Sequence, residues 1–315
     1  MPSNTVGLDP AIAQAIAGVA RALGALTQVL GGGAGAGGGA AQLAAGTIGS
    51  GPFAATGLPA QSTPTQVPAP APVMPTAPPN PGSPSTAKVA TFNVLGSSHT
   101  NASGNKPDYA SGVQRVPEMI QQLKKHDVEI AGLQEFQGDQ QQAFRAANTG
   151  YDMVGERDNA VIWKADRYRK VGQTSLTIPY FKGKPREMPA VQLEDVATGT
   201  RVWVLSVHNP ADTKSNPGNA GNRREAERRE RAFIQNLEAT GVPVIVAGDF
   251  NDDKQSTGAM TAGGLTTVAD PKGNARNIDW VFGSRGVQFG ATTRDTDPRA
   301  DRTSDHPIVV TTATF

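Results

Sequence analysis

Carboxylate, amide and imidazole side chains stand at the ends of several short apolar runs, and their types suit one kind of chemistry. In chain order they are Asn93, Glu135, His208, Asn209, Asp249, Asn251, Asp279, Asp305 and His306. The anionic oxygens of a phosphate ester repel a nucleophile, and a hard divalent cation held by carboxylates relieves that repulsion. Imidazole and carboxylate groups can move the protons that hydrolysis requires. The set therefore favours metal-assisted hydrolysis of a phosphate ester, provided that the fold brings its members together.

The stretch from Val242 to Asp252 indicates how a fold could do so. Val244 to Ala247 is apolar and rich in β-branched residues, and it predicts a strand buried on both faces. Asp249 and Asn251 follow it and alternate with Phe250, so on an extended chain they point to the same side. A carboxylate and an amide are thus expected to converge where the strand leaves the core.

Further periodic runs predict the elements that precede the other polar residues. Predicted strands cover 88–90, 127–133, 161–163, 191–193, 202–207, 278–282 and 308–312, and predicted helices cover 112–125 and 222–237. In the first helix the residues on one face are Val116, Met119, Ile120 and Leu123. Strands outnumber helices, which indicates an α/β or α+β protein.

Six short motifs follow these runs in a fixed order. They are Thr91–Asn93, Leu133–Glu135, Val207–Asn209, Gly248–Asn251, Ile278–Trp280 and Ser304–Pro307. In this order and context, residues 88–315 resemble the endonuclease/exonuclease/phosphatase superfamily of DNase-like phosphoesterases. The resemblance implies an α/β fold, a four-layer sandwich of two packed mixed sheets flanked by helices, with the polar strand ends meeting in one cleft.

By this resemblance the metal ligands are Asn93, Glu135 and Asp305. All three offer oxygen atoms, which suit Mg²⁺ or Mn²⁺ far better than Zn²⁺. We therefore expect a magnesium or manganese cofactor.

The other polar residues at the strand ends have predicted catalytic roles. Asp249 orients or deprotonates the attacking water, and Asn251 hydrogen-bonds the phosphate oxygen that gains charge. The resemblance implies that Asp279 holds His306, which then stabilises the transition state. His208 corresponds to the family's second histidine, a general acid or phosphate contact near the leaving group.

One departure from the family concerns His208. In the nucleases of the family a glutamate from a preceding strand holds this histidine, and the residues from Glu156 to Trp163 offer no clear equivalent. The carboxylate partner of His208 therefore stays open. Of the other histidines, we interpret His126 as a surface residue at a helix end, and His99 lies in a polar loop that can border the cleft.

Substrate contacts are expected after His208. The polar loop from Pro210 to Asn222 suits a rim that faces substrate, and Asn209, Arg223 and Arg224 are the candidate contacts. The arginines of 222–237 alternate with glutamates at helical pairing distance, so the alternative is a salt-bridged solvent face.

The N-terminal part of the chain has a different composition. Residues 1–87 contain only two charged side chains, Asp9 and Arg21, and the charges of the remainder nearly cancel, since the whole chain carries a formal net charge of +1. Residues 1–30 predict an amphipathic helix with a heptad seam. This helix either mediates self-association or docking to a partner, or packs on its own domain. It is not expected to be a transmembrane segment. Residues 31–87 predict a disordered Gly/Ala/Pro-rich linker to a catalytic domain at 88–315.

Neither the cysteine content nor the N-terminal sequence identifies the cellular compartment of the protein. The chain has no cysteine, which excludes disulfides and thiolate chemistry. No basic segment precedes the apolar stretch, so a signal peptide is not indicated. The long tether favours an enzyme attached outside the cytoplasm or to a particle.

Two classes of function remain. The first is a metal-dependent hydrolase of phosphodiesters that uses in-line water attack, with DNA as the expected substrate and an endonuclease as the expected activity. A phosphomonoesterase or a lipid phosphodiesterase, of the inositol phosphatase or sphingomyelinase type, is its nearest alternative. The second is a tethered structural or binding module that uses the fold without turnover.

Overall fold

The protein is described by a computed structural model that covers residues 82–252, 254–267 and 277–315. The predicted helix at 1–30 and all but the last residues of the predicted linker lie outside this part. The first strand already begins at Thr86, before the predicted domain boundary at residue 88.

Twelve strands and six α-helices make up the described part of the chain. The strands are β1 (Thr86–Asn93), β2 (Ile130–Gln134), β3 (Tyr151–Glu156), β4 (Asn159–Lys164), β5 (Tyr168–Pro179), β6 (Pro185–Asp195), β7 (Arg201–His208), β8 (Val244–Asp249), β9 (Thr266–Thr267), β10 (Asp279–Gly283), β11 (Gln288–Asp295) and β12 (Ile308–Thr314). The helices are α1 (Ser97–Thr100), α2 (Gly112–Lys125), α3 (Gly138–Ala146), α4 (Ala220–Glu238), α5 (Lys254–Ala262) and α6 (Asp297–Ala300). A 3₁₀ turn, Phe181–Gly183, joins β5 to β6.

The strands form two mixed sheets. The first has the order β11-β12-β1-β2-β4-β3, and the second has the order β5-β6-β7-β8-β10-β9. β1 pairs with β2 and β7 pairs with β8 in parallel, whereas the other pairings are antiparallel. The four strands of these parallel pairs end at the motifs that contain Asn93, Glu135, His208 and Asp249.

The sheets pack face to face through their central strands. Gly132 on β2 allows a close approach, because a Cβ there would lie 2.8 Å from the Cβ of Ala247 on β8. Polar side chains also join the sheets: the Ser206 hydroxyl donates to the Leu133 carbonyl at 3.1 Å, and Gln134 Nε2 donates to Ser206 Oγ at 3.2 Å. These buried bonds fix the spacing of the strand ends that form the cleft.

Helices cover the outer faces of the sheets. Ser111 and Gln114 form a capping box at the start of α2, and the predicted apolar face of this helix lies in the core on the first sheet. On the second sheet, α4 packs against β5 and β8. Two packed mixed sheets with outer helices confirm the predicted four-layer α/β sandwich.

The charged residues of α4 were predicted only in part. Glu225 pairs with Arg228 and Arg229, each at 2.7 Å, as expected of a salt-bridged solvent face. Glu227 and Glu230, by contrast, are buried, because the helix turns that side towards the sheet. No helix in the described part of the chain has the length and apolar character needed to cross a membrane.

Candidate active site

A cleft of about 750 Å³ opens at the ends of the central strands and is lined from both sheets. Its floor includes Glu135, His208, Asp249, Asn251 and His306. Asn93 and Asp279 lie directly beneath, each almost completely buried. The structure thus brings residues from all six motifs to one place.

Asp249, Asp279 and His306 form the centre of this group. Asp249 ends β8 and stands opposite Asp279 in the antiparallel register with β10, whereas His306 comes from the segment before β12 in the other sheet. The Nδ1 atom of His306 lies 2.9 Å from Asp279 Oδ1, and Nε2 lies 3.8 Å from Asp249 Oδ2. Ligand-type atoms of the three residues lie within 4.8 Å of one another. The contact that the resemblance implied between Asp279 and His306 is present.

Burial and charge act in opposite directions on His306. Burial disfavours the charged imidazole, but the carboxylates of Asp279 and Asp249 outweigh it and raise the pKa of His306 to about 10. Burial also disfavours the charged form of Asp249. It therefore raises the pKa of this carboxyl group, and the neighbouring His306 partly offsets the rise. A cationic imidazole beside a carboxylate of increased basicity is a suitable pair for proton transfer.

Backbone geometry at the end of β8 places Asn251. Its φ of 50° lies in the left-handed region, and its backbone N–H donates to Asp249 Oδ1 at 2.9 Å. Its Nδ2 donates to the carbonyl of Asn209 at 2.9 Å. Asn251 also lines the cleft, and this bond leaves the second amide hydrogen of Nδ2 for another acceptor.

Glu135 is held where β2 ends, at a φ of 55°. Its Oε2 accepts hydrogen bonds from Gly96 N at 2.9 Å and contacts His99 Nε2 at 3.1 Å, and its Oε1 accepts from Asn93 Nδ2 at 3.2 Å. Burial opposes its ionisation, but the bond to His99 and the other partners hold the pKa of Glu135 well below its usual value. Glu135 is therefore ionised, as a metal ligand must be.

The amide of Asn93, a predicted metal ligand, makes three hydrogen bonds at the end of β1. Its Oδ1 accepts the backbone N–H of Leu95 at 3.0 Å, and its Nδ2 donates to Glu135 and, at 3.0 Å, to Asp249 Oδ2. The side chain thus turns its hydrogens towards the carboxylates and its oxygen away from them. In this orientation the amide of Asn93 positions the carboxylates of Glu135 and Asp249. The other two residues of the predicted set, Glu135 and Asp305, offer carboxylate oxygens, the type of donor that a hard divalent cation prefers.

His208 has no carboxylate partner on Nδ1 among the residues that the structure describes. Its Nε2 lies 3.7 Å from Asp249 Oδ2 and 3.5 Å from the hydroxyl of Tyr180, and the Tyr180 ring meets the imidazole edge to face at 5.7 Å. Arg186 stacks on that ring, 3.9 Å from its centroid, and forms an ion pair with Asp158. The aromatic neighbour of His208, Tyr180, thus contacts Nε2 and the ring rather than Nδ1.

The sequence motifs do not predict Tyr180, Arg186 or Asp158 as residues of the site. Tyr180 and Arg186 flank the tip of the β5–β6 hairpin, which no polar motif marks, and Asp158 lies in the turn between β3 and β4. Arg115 on α2 is a further residue that the sequence motifs do not predict. Its guanidinium donates to the carbonyls of Val94, Leu95 and Thr303, and so ties the end of β1 to the segment before Asp305.

The predicted substrate contacts receive no support from the geometry. Asn209 is completely buried, and Arg223 is buried against the carbonyl of Pro210 and the carboxylate of Asp212. Arg224 is exposed on α4, and neither arginine lines the cleft. The preceding loop does line the cleft, through Thr213, Ser215 and Asn216 among others.

This two-sheet sandwich, with an acidic and imidazole-containing cleft at its central strand ends, defines the class of DNase I-like α/β proteins. Residues 90–306 match the endonuclease/exonuclease/phosphatase family, and the chain belongs to that family. Its members are phosphoesterase hydrolases, nucleases and phosphatases among them, and they typically use a divalent metal. None of the curated proteins compared by sequence matches the chain.

Solved structures extend the comparison. The chain is similar to mannosyl-6-phosphatase of Bacteroides thetaiotaomicron, with a TM-score of 0.57 and 22% identity over 73% of this chain and 100% of that one. It is similar to the human Nocturnin catalytic domain with bound sulfate, with a TM-score of 0.56 and 16% identity over 75% and 99%. For D. rerio TDP2 complexed with a single-strand DNA product, the TM-score is 0.54 and the identity is 14% over 73% and 99%. At these identities the similarity shows the fold alone.

Proposed function

We propose that this protein is a divalent-metal-dependent phosphodiesterase that hydrolyses its substrate by in-line attack of water, and that DNA is the substrate. The observation that carries the proposal is the cluster of Asp249, Asp279 and His306, contributed by both sheets and facing a cleft that Glu135 also lines. A tethered module without turnover would not need a buried ion pair at the base of an open cleft, because burying charges costs free energy.

Asp249 is the group that orients the water and accepts its proton. Its buried carboxylate has a raised pKa, which increases its basicity, and the amide of Asn93 fixes its direction. The phosphorus–oxygen bond to the leaving alcohol breaks as the bond to water forms. His208, on the adjacent strand, donates a proton to the departing oxygen.

His306 and Asn251 act on the phosphate. Both can donate a hydrogen bond to an oxygen that gains charge in the transition state, and both are held by a second contact, to Asp279 and to the Asn209 carbonyl respectively. A divalent ion held by Glu135 and Asp305 would neutralise and orient the phosphate.

A small phosphate ester is the second candidate substrate, and the dimensions of the cleft favour it. A volume of about 750 Å³ lies within the range of small-molecule sites, and a formal net charge of +1 gives no strong field for attracting DNA. One of the structural neighbours is a mannosyl-6-phosphatase, whereas another is complexed with a DNA product.

A substrate panel separates the candidates. The full-length protein would be incubated with supercoiled plasmid, RNA, inositol phosphates, sugar phosphates and sphingomyelin, in Mg²⁺ and in chelator, beside Asp249→Ala as the control. We expect the plasmid to be nicked, and the nicking to require both Mg²⁺ and Asp249. Release of phosphate from a monoester with the plasmid intact would replace the nuclease by a phosphatase.

A further inference from the structure

Two basic side chains from one loop contact the two carboxylates proposed to hold the metal. The loop comprises residues 97–108 and begins with α1. His99 Nε2 lies 3.1 Å from Glu135 Oε2, and Lys106 Nζ lies 2.8 Å from Asp305 Oδ2. Each proposed ligand therefore has its own basic partner, and both partners come from the same loop.

The loop is internally bonded, so the two partners belong to one unit. His99 Nδ1 lies 2.8 Å from Asn105 Oδ1, and the backbone N–H of Lys106 donates to the His99 carbonyl at 2.8 Å. Gly104 packs so closely on that carbonyl that a Cβ would lie 2.1 Å from the oxygen. The backbone of 97–108 is thus compact, and the part free to change position is the long side chain of Lys106.

We propose that this loop makes metal binding and phosphate binding cooperative: Lys106 is the resident counter-ion of Asp305, and it transfers to the substrate phosphate when a divalent cation binds Asp305. The inference rests on the proposed function, because it requires a metal at Glu135 and Asp305. Lys106 is thus a positioning residue, whose positive charge lies beside Asp305 before the metal binds and beside the substrate phosphate afterwards.

Charge and exposure support the exchange. A lysine at 2.8 Å from Asp305 repels a divalent cation that approaches the same carboxylate, so one cation must leave as the other arrives. The Lys106 side chain is 36% exposed, so it can rotate without breaking a packed core. Its neighbours His99, Gly104 and Asn105 line the cleft, so a phosphate bound there offers Lys106 an alternative anionic partner.

Thermodynamic linkage relates the exchange to two measurable affinities, those for the metal and for phosphate. If phosphate stabilises the rotated lysine, it must tighten metal binding, and metal must tighten phosphate binding by the same factor. A purely structural pair between Lys106 and Asp305 would produce no such dependence on residue 106.

The chain contains a matched control pair away from the cleft. Lys125 Nζ lies 2.6 Å from both Asp295 and Asp297, and His126 Nε2 lies 2.8 Å from Asp295. Lys125→Met therefore removes the same charge from the same kind of pair without touching the candidate site. Lys106→Arg keeps the charge at the test position.

The experiment is calorimetric titration of Mn²⁺ into the full-length protein, without and with sulfate as the tetrahedral dianion, at constant ionic strength and pH. Wild type, Lys106→Met, Lys106→Arg and Lys125→Met would be compared, with circular dichroism as the check of folding. In sulfate-free buffer Lys106→Met should bind Mn²⁺ roughly three- to tenfold more tightly, because a neighbouring positive charge is gone. Sulfate should tighten Mn²⁺ binding in wild type, Lys106→Arg and Lys125→Met, and should do so much less in Lys106→Met.

The possible failures are distinguishable. If wild type binds Mn²⁺ and Lys106→Met shows the same affinity and the same sulfate effect, the exchange is wrong and the metal-dependent function stands. If wild type binds no Mn²⁺, both are overturned. Weaker Mn²⁺ binding by a folded Lys106→Met would also contradict the exchange, since it would mean that Lys106 orients Asp305 for the metal.

Discussion

Asp279 Oδ1 and His306 Nδ1 lie 2.9 Å apart although Asp279 begins β10 of one sheet and His306 precedes β12 of the other. This contact fixes the ring of His306 and directs Nε2 towards Asp249. It exists only when the sheets are packed in register, so the packing of the core and the geometry of the site are set together.

Replacing Asp279 by Asn tests this contact. The amide has nearly the same shape but no charge, so the imidazolium of His306 loses its main support while the fold is retained. We expect turnover to fall by ~10²- to 10⁴-fold, the range for a displaced acid or oxyanion donor, with little change in KM. Steady-state kinetics on a soluble phosphate ester measure it, and a loss confined to KM would contradict the assigned role.

His208→Ala tests the assignment of the general acid. An alkoxide leaving group needs a proton, whereas an activated aryl leaves without one. We therefore expect a much larger loss of rate on the alkyl ester than on the aryl ester. Equal losses would mean that His208 binds phosphate or shapes the cleft, a result compatible with its aromatic contact to Tyr180.

The sequence predicted the motif residues better than their surroundings. The order of motifs after apolar runs was sufficient for the sandwich and for the convergence of Asp249, Asp279 and His306, because strand ends meet wherever central strands are neighbours. It could not predict the turned amide of Asn93, which depends on the backbone N–H of Leu95, nor Tyr180, which reaches His208 from a hairpin distant in sequence. Likewise the helical alternation of Arg and Glu could not reveal that Glu230 faces inward.

Arg115 should be essential for stability. It is 4% exposed and donates to the carbonyls of Ala110, Val94, Leu95 and Thr303. Arg115→Met leaves those buried acceptors without their donor, and we expect the free energy of unfolding to fall by ~3–5 kcal/mol. Urea unfolding measures it against Arg145→Met, an exposed arginine on α3. Equal stability of the two variants would show that water replaces the guanidinium.

Glu230 should give the protein a characteristic dependence of stability on pH. Burial, and secondarily the charge of Glu227, raises its pKa from 4.5 to about 8. Between these values the folded protein keeps a proton that the unfolded chain has released, so stability must fall as pH rises through this window. Each pH unit contributes about 1.4 kcal/mol at most.

The pH dependence is tested by Glu230→Gln. The amide stays neutral, so the variant should lose this part of the slope when urea unfolding is repeated from about pH 5 to about pH 8. Glu225→Gln, on the solvent side of α4, is the control and should keep it. A slope in Glu230→Gln that matches wild type would mean that Glu230 is ionised in the folded protein.

The most direct test of the whole account is hydrolysis of an activated aryl phosphodiester by the full-length protein, first stripped with chelator and then supplied with Mg²⁺ or Mn²⁺. Asp249→Ala, purified in parallel, reports on any contaminating activity. We expect no turnover in chelator, recovery with either metal in wild type, and a rate lower by ~10²- to 10⁴-fold in Asp249→Ala. Full activity in chelator, or equal activity in the variant, would contradict a metal-dependent phosphoesterase centred on Asp249.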